Sequence, residues 1–212
     1  MKRTILFDLD GTLTDSAEGV INCFLPALKH FNLPIPERSE MTFVVGPPLR
    51  DSFLRLGVKE EDVETAVEIY RQRYVPTGMF ENAPFPGIAA MLAALKEAGH
   101  ELYVATSKPE VMATEILDKF LLSGYFDKIY GASMDGSRDT KDKVIAYLLE
   151  ELGPRDNYIM IGDTHFDVEG AAVHGIKTIG VDWGYGKNED MLAAGAVAIV
   201  DSPAQLLKKL MK

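Results

Sequence analysis

Aspartates, threonines and a lysine stand just where apolar runs of this chain end, a placement suited to handling a phosphoryl group. Asp8, Asp10 and Thr12 follow the β-rich run that opens at Thr4. Thr106, Ser107 and Lys108 follow Glu101 to Ala105, and Gly162, Asp163 and Asp167 follow Tyr158 to Ile161. In an open α/β sheet, ligands bind beyond the carboxyl ends of the strands, so all three groups would meet at one edge. Carboxylates about 4 Å apart repel by about 4 kcal/mol per pair at an effective dielectric of about 20. A hard dication relieves that repulsion, and oxygen donors without a competing Cys/His cluster favour Mg²⁺ over zinc or copper. Mg²⁺ beside the strand-end turn at Asp10-Gly11, with its N–H groups expected to be free, makes a site for a phosphoryl group. Lys141, which opens the helix before the Tyr158 strand, adds a positive charge to the same edge.

The elements that must position these residues alternate. Strands are predicted at Thr4–Leu9, Glu101–Ala105, Lys128–Ala132, Tyr158–Ile161, Thr178–Val181 and Val197–Val200. Helices are predicted between them, at Gly87–Ala98, Pro109–Phe120, Lys141–Leu152, Val168–His174 and Glu189–Ala194, with a last one from Pro203. Such β-α alternation predicts an α/β fold, a Rossmann-like parallel sheet sandwiched by helices. About ninety residues separate the first two strands, far more than the dozen or so a parallel crossover needs. That excess reads as an inserted helical domain over 15–82, leaving 1–14 and 83–212 as the core. Within it, Ala17, Val20, Ile21, Phe24, Leu28 and Phe31 fall at helical spacing, with Asp15 and Ser16 available as caps and Pro26 expected to kink the helix or shift its end. Val63, Ala66, Val67, Tyr70 and Tyr74 predict a second helix, and Pro47-Pro48 a rigid bend.

The string Phe7-Asp8-Leu9-Asp10-Gly11-Thr12-Leu13-Thr14-Asp15-Ser16 closely resembles the signature of the haloacid dehalogenase-like superfamily. Thr106, Lys141 and Gly162-Asp163-Thr164-His165-Phe166-Asp167 agree with it in order, and the insertion resembles the family's helical cap. Gly46-Pro47-Pro48-Leu49-Arg50 and Trp183-Gly184-Tyr185-Gly186 are similar to the phosphoglycolate phosphatase-like group, although Ser107 stands where many relatives carry asparagine. The resemblance implies a phosphoric monoester hydrolase with a cap closing over the site. It assigns Asp8 as nucleophile, forming a phospho-aspartate, and Asp10 as acid and then base. It implies that Asp8, Asp163 and the main-chain carbonyl of Asp10 hold Mg²⁺, with Asp167 supporting them from behind or binding through a water. Thr106 would bond the transferring group and Lys141 would neutralise it. An acid at Asp10 favours phosphate esters, since the dehalogenases lack it and ion-pumping relatives carry threonine. Gly11, Thr12, Ser107 and Arg50 are candidate substrate contacts.

Blander readings accompany each of these. Asp163 and Asp167 could merely cap a helix, Lys143 rivals Lys141, and Arg50 could be a surface arginine. His165 is expected to be exposed, and His30, His100, His174, Cys23 and the tyrosines of the second cap helix to serve packing or surface. Gly184-Tyr185-Gly186 reads as a loop, because no helix opens where a nucleotide fingerprint needs one.

A formal net charge of −10 makes nucleic acid an unsuitable partner. The single cysteine excludes an internal disulfide and suits a cytoplasmic home, and no apolar run reaches membrane-spanning length. The expected partner is a small phosphorylated metabolite, phosphoglycolate or a 5′-nucleotide, with monomer or homodimer left open. Two alternatives stand beside this: a sugar phosphomutase of the same superfamily, and a non-catalytic module keeping the fold.

Overall fold

Four consecutive buried residues, Thr4–Phe7, form strand β1 in the middle of a parallel sheet. The computed structural model describes residues 2–212. The chain clusters into two units, one of residues up to 14 together with 84–212, the other of residues 15–83.

In the first unit the remaining strands are β4 (Glu101–Pro109), β5 (Lys128–Ala132), β6 (Tyr158–Gly162), β7 (Lys177–Val181) and β8 (Ala198–Val200). They lie in the order β5-β4-β1-β6-β7-β8, every neighbour parallel. Thr4 pairs with Glu101 on one side and Tyr158 on the other, and Phe7 with Val104 and Ile161. That register brings the ends of the three chemistry-bearing strands to one height at the centre of the sheet.

The strands alternate faces. Leu6, Tyr103, Tyr130 and Met160 pack with Val144, Ile145 and Leu148 of helix α6 (Lys141–Leu152). Phe7 instead meets Phe126 edge-on at 6.2 Å between ring centroids. The other helices of this unit are α4 (Ile88–Glu97), α5 (Glu110–Lys119), α7 (His165–Ala172), α8 (Asn188–Ala193) and α9 (Pro203–Leu210). Strand β4 runs four residues past the predicted end at Ala105, with its register to β5 shifting between Ala105 and Pro109. The irregularity falls on Thr106-Ser107-Lys108, as bulges that re-aim side chains commonly do. Helix α7 starts at His165, three residues before the predicted start, because Thr164 and Asp167 form a capping box there.

The second unit is helical: α1 (Ala17–His30), α2 (Leu49–Arg55) and α3 (Val63–Tyr74). Strands β2 (Thr14–Asp15) and β3 (Ala83–Pro84) pair where the chain passes between units. Phe24, Phe53 and Tyr70 form its aromatic centre, with Phe24–Phe53 centroids 4.5 Å apart and Phe24–Tyr70 5.1 Å apart. Helix α1 runs through Pro26 to His30 without a shifted end, carried by the burial of Phe24, Ala27 and Leu28 on either side. Ser16 is not a side-chain cap: its buried Oγ has no hydrogen-bond partner among the described residues, while Asp15 Oδ1 accepts from the Ala17 amide at 3.3 Å. No helix among the described residues is long and apolar enough to cross a membrane.

An ion pair fastens α3 to the segment after it. Both Arg73 Nη atoms donate to Glu81, each at 2.8 Å, and Asn22 Nδ2 donates to Glu81 at 3.0 Å. The Arg73 hydrogen bonds pull the Glu81 carboxyl down to about 2. A carboxyl depressed in the folded state stabilises above its ordinary value and loses that contribution as pH falls toward the folded value. Glu81→Gln should therefore cost about 1–2 kcal/mol at pH 7. The deficit, read from thermal melts of both proteins, should shrink between about pH 4.5 and pH 2; an equal deficit at pH 7 and pH 2.5 would refute it.

Candidate active site

Asp8 follows the last residue of β1, and its amide bonds Ile161 of β6 at 2.9 Å, so its backbone belongs to the sheet. The chain then turns sharply. Gly11, at φ 78°, donates to the Thr14 carbonyl at 2.8 Å, and the amides of Thr12 and Leu13 return to the Leu9 carbonyl. In the Asp10-Gly11 turn, whose N–H groups were expected to be free, the Gly11 N–H is thus used to close the turn, as is that of Thr12. The Thr12 hydroxyl donates to Asp163 Oδ1 at 3.1 Å.

Asp8, Asp163 and Asp167 each offer a carboxylate oxygen within 4.8 Å of the others, and all three are buried. Lys141 enters this group from the first turn of α6. Its ammonium lies 2.8 Å from Asp8 Oδ1 and 2.7 Å from Asp167 Oδ1, and donates to the Ala105 carbonyl at 2.9 Å. Close packing of α7 admits it: a Cβ on Gly170 would come 2.7 Å from Lys141 Cβ. Lys143, two residues on, points to solvent and pairs with Asp139 at 2.8 Å.

Each carboxylate is held by named donors. Asp8 Oδ1 also accepts from the Leu9 amide at 2.7 Å, so Lys141 and Leu9 share one oxygen. Asp167 gives one oxygen to the amide and hydroxyl of Thr164, at 3.0 and 2.9 Å, and the other to Lys141. It is therefore both a helix cap and a member of the acidic group. Gly162 permits this closeness, since a Cβ there would lie 2.2 Å from Asp167 Cγ.

Burial, opposed by Lys141, leaves the Asp8 carboxyl raised to about 6. Burial first, then the charges of Asp167 and Asp8, push Asp163 well above the ordinary carboxylate range. Burial alone would lower Lys141, yet Asp167 and Asp8 hold it above the usual lysine value. Three buried carboxylates facing one ammonium leave an excess of negative charge, and all the donors are oxygen. That donor set fits a hard dication such as Mg²⁺.

Asp10 sits apart from the three. Its Oδ2 lies 2.6 Å from Lys108 Nζ, while its buried Oδ1 has no hydrogen-bond partner among the described residues. The irregular end of β4 brings Lys108 there: a Cβ on Gly131 of β5 would lie 2.6 Å from the Lys108 carbonyl, so the two backbones nearly touch. Thr106 is buried, its Oγ1 accepting from the Lys108 amide at 3.2 Å, and Ser107 is half-buried. Arg50 belongs to the helical unit, where it pairs with Glu60 and, at 3.0 Å, with Glu64. His165 is half-buried rather than exposed, its ring 4.0 Å from that of Phe166. Sequence reasoning gave Lys108 no role, although it shares a strand end with Thr106. Gly184-Tyr185-Gly186 is a loop, as expected, and from it the Tyr185 amide donates to Asp163 Oδ2 at 2.8 Å.

Residues 5–181 match the family model described as haloacid dehalogenase-like hydrolase. The chain is similar to the tyrosine-protein kinase PtkA of Mycobacterium tuberculosis, at 46% identity over 87% of this chain. It spans only 64% of that relative's length. It is 41% identical to a 5′-nucleotidase of Pseudomonas aeruginosa, over 89% of this chain and 86% of that one. A phosphoglycolate phosphatase of Aquifex aeolicus is 36% identical, over 87% of each chain. Among solved structures, a predicted phosphatase from Clostridium acetobutylicum superposes with a TM-score of 0.94 at 43% identity, covering 100% of this chain and 99% of that one.

Proposed function

This chain belongs to the haloacid dehalogenase-like hydrolases, and from that premise we propose that it is a Mg²⁺-dependent phosphatase of small phosphomonoesters. The observation that carries the reading is the buried group of Asp8, Asp163 and Asp167, with Lys141 paired to Asp8 and Asp167, at the ends of the central strands. Asp8, Asp163 and the main-chain carbonyl of Asp10 would hold Mg²⁺. Asp167, with both oxygens already serving Thr164 and Lys141, would support them from behind. The chemistry that ion supplies is neutralisation of carboxylate and phosphoryl charge.

The chain's own residues divide the remaining work. Asp8, held through one oxygen by Lys141 and the Leu9 amide, keeps its other oxygen for in-line attack on phosphorus. The P–O bond to the alcohol breaks as the Asp8–phosphorus bond forms, and Asp10 gives the departing oxygen its proton. Asp10 then takes a proton from the water that hydrolyses the phospho-aspartate. Lys141 and Thr106 would bond the oxygens of the transferring group. Phosphoglycolate and 5′-nucleotides are the substrate classes that the relatives' names suggest.

Phosphate release from a panel containing phosphoglycolate and 5′-nucleotides, with Mg²⁺ and with excess EDTA, tests this. Release that EDTA abolishes is expected; release unaffected by EDTA, or none across the panel, would refute it. The 46% identity to a protein named as a tyrosine kinase favours a second reading, in which the phosphoryl group passes to a hydroxyl acceptor in place of water. Phosphate recovered on the acceptor, not in solution, would select that reading.

A further inference from the structure

The loop after β7 makes contacts that its sequence did not advertise, and they converge on one carboxylate. The Tyr185 amide donates to Asp163 Oδ2 at 2.8 Å, and the Thr12 hydroxyl to Asp163 Oδ1 at 3.1 Å. Trp183 Nε1 donates to the Thr12 carbonyl at 3.1 Å. A closed ring of contacts therefore runs from Asp163 through Thr12 and Trp183 back to Tyr185.

The glycines of the loop explain how it comes so close. A Cβ on Gly184 would lie 2.3 Å from Asp163 Cβ and 2.4 Å from its Oδ2, and one on Gly186 would lie 2.0 Å from the Asp163 carbonyl. Neither glycine has a positive φ. Their backbone shape would thus admit other residues, and what forbids a side chain is the space taken by Asp163. On its other side a Cβ on Gly11 would lie 2.2 Å from Asp163 Oδ2. The carboxylate is held between two bare stretches of backbone, with a hydrogen bond to each oxygen.

We propose that Trp183 to Gly186 is a positioning brace that holds the Asp163 carboxylate in its cation-binding orientation before the cation arrives; this rests on reading Asp163 as a metal ligand. Repulsion from Asp8 and Asp167 would turn an unbraced carboxylate away from them, and the cation would then have to reorder it. Donors placed behind a metal ligand commonly change metal affinity by about 10–100-fold when removed.

The test is calorimetric titration of metal-free protein with Mg²⁺, without substrate. Trp183→Phe, which keeps the ring but loses the bond to Thr12, should weaken Mg²⁺ binding about tenfold. Gly184→Ala, which displaces the carboxylate itself, should weaken it toward about 100-fold. Should Gly184→Ala fail to fold, Trp183→Phe carries the test alone. Variants that bind Mg²⁺ as tightly as the wild type overturn the brace, even if they melt at lower temperature, because a merely structural loop predicts that pattern. A wild-type protein that binds no Mg²⁺ overturns the metal reading itself, and is told apart by that control.

Discussion

Asp8→Asn should abolish phosphate release, by about 10⁴-fold or more, while the metal-free protein melts at or above the wild-type temperature. An amide cannot form the acyl phosphate, so the chemical step disappears. Stability should move the other way. Asp8 is buried within a group of carboxylates whose negative charge exceeds that of the one ammonium beside them. Asparagine keeps an oxygen to accept from the Leu9 amide, now at 2.7 Å, and Lys141 retains Asp167 at 2.7 Å. The substitution thus deletes a buried like charge without leaving Lys141 unpaired. Phosphate-release assays beside thermal melts in EDTA read both effects. Near-wild-type turnover would sink the nucleophile assignment, and a melt lowered by many degrees would sink the account of the charge balance.

Lys141→Met should be the costly substitution for the fold. It leaves Asp8 and Asp167 buried without their shared ammonium, and breaking a buried ion pair from one side typically costs about 3–5 kcal/mol. Turnover should fall about 10²–10³-fold as well, as when a donor to a developing charge is removed. Added Mg²⁺ should restore part of the stability, since it too brings positive charge to the carboxylates. Lys143→Met is the control: its side chain lies at the surface beside Asp139, so stability and turnover should stay as they are. Equal effects from the two lysines in melts and assays would overturn the assignment.

The two lysines also show how much was legible without coordinates. Helical periodicity favours Lys141, because Val144, Ile145 and Leu148 mark a buried face from which Lys143 points away. Asp8, Asp163 and the β-α alternation were readable for a similar reason: each is a local pattern, an apolar run stopped by a polar residue. Boundaries were less legible where they depended on partners. β4 continues past Ala105 because β5 pairs with it again at Pro109, and α7 begins early because Thr164 and Asp167 cap each other.

By itself, the order of residues determined the alternation of strands and helices and the acidic turn after β1, since turn chemistry and hydrophobic period act over a few neighbours. Tertiary structure alone decided which groups touch. It seated Lys141 between Asp8 and Asp167, gave Asp10 to Lys108 and wrapped the Trp183 loop around Asp163. Those contacts span tens to more than a hundred residues of chain. They depend on strand register and on gaps left by missing Cβ atoms, and no local pattern encodes either.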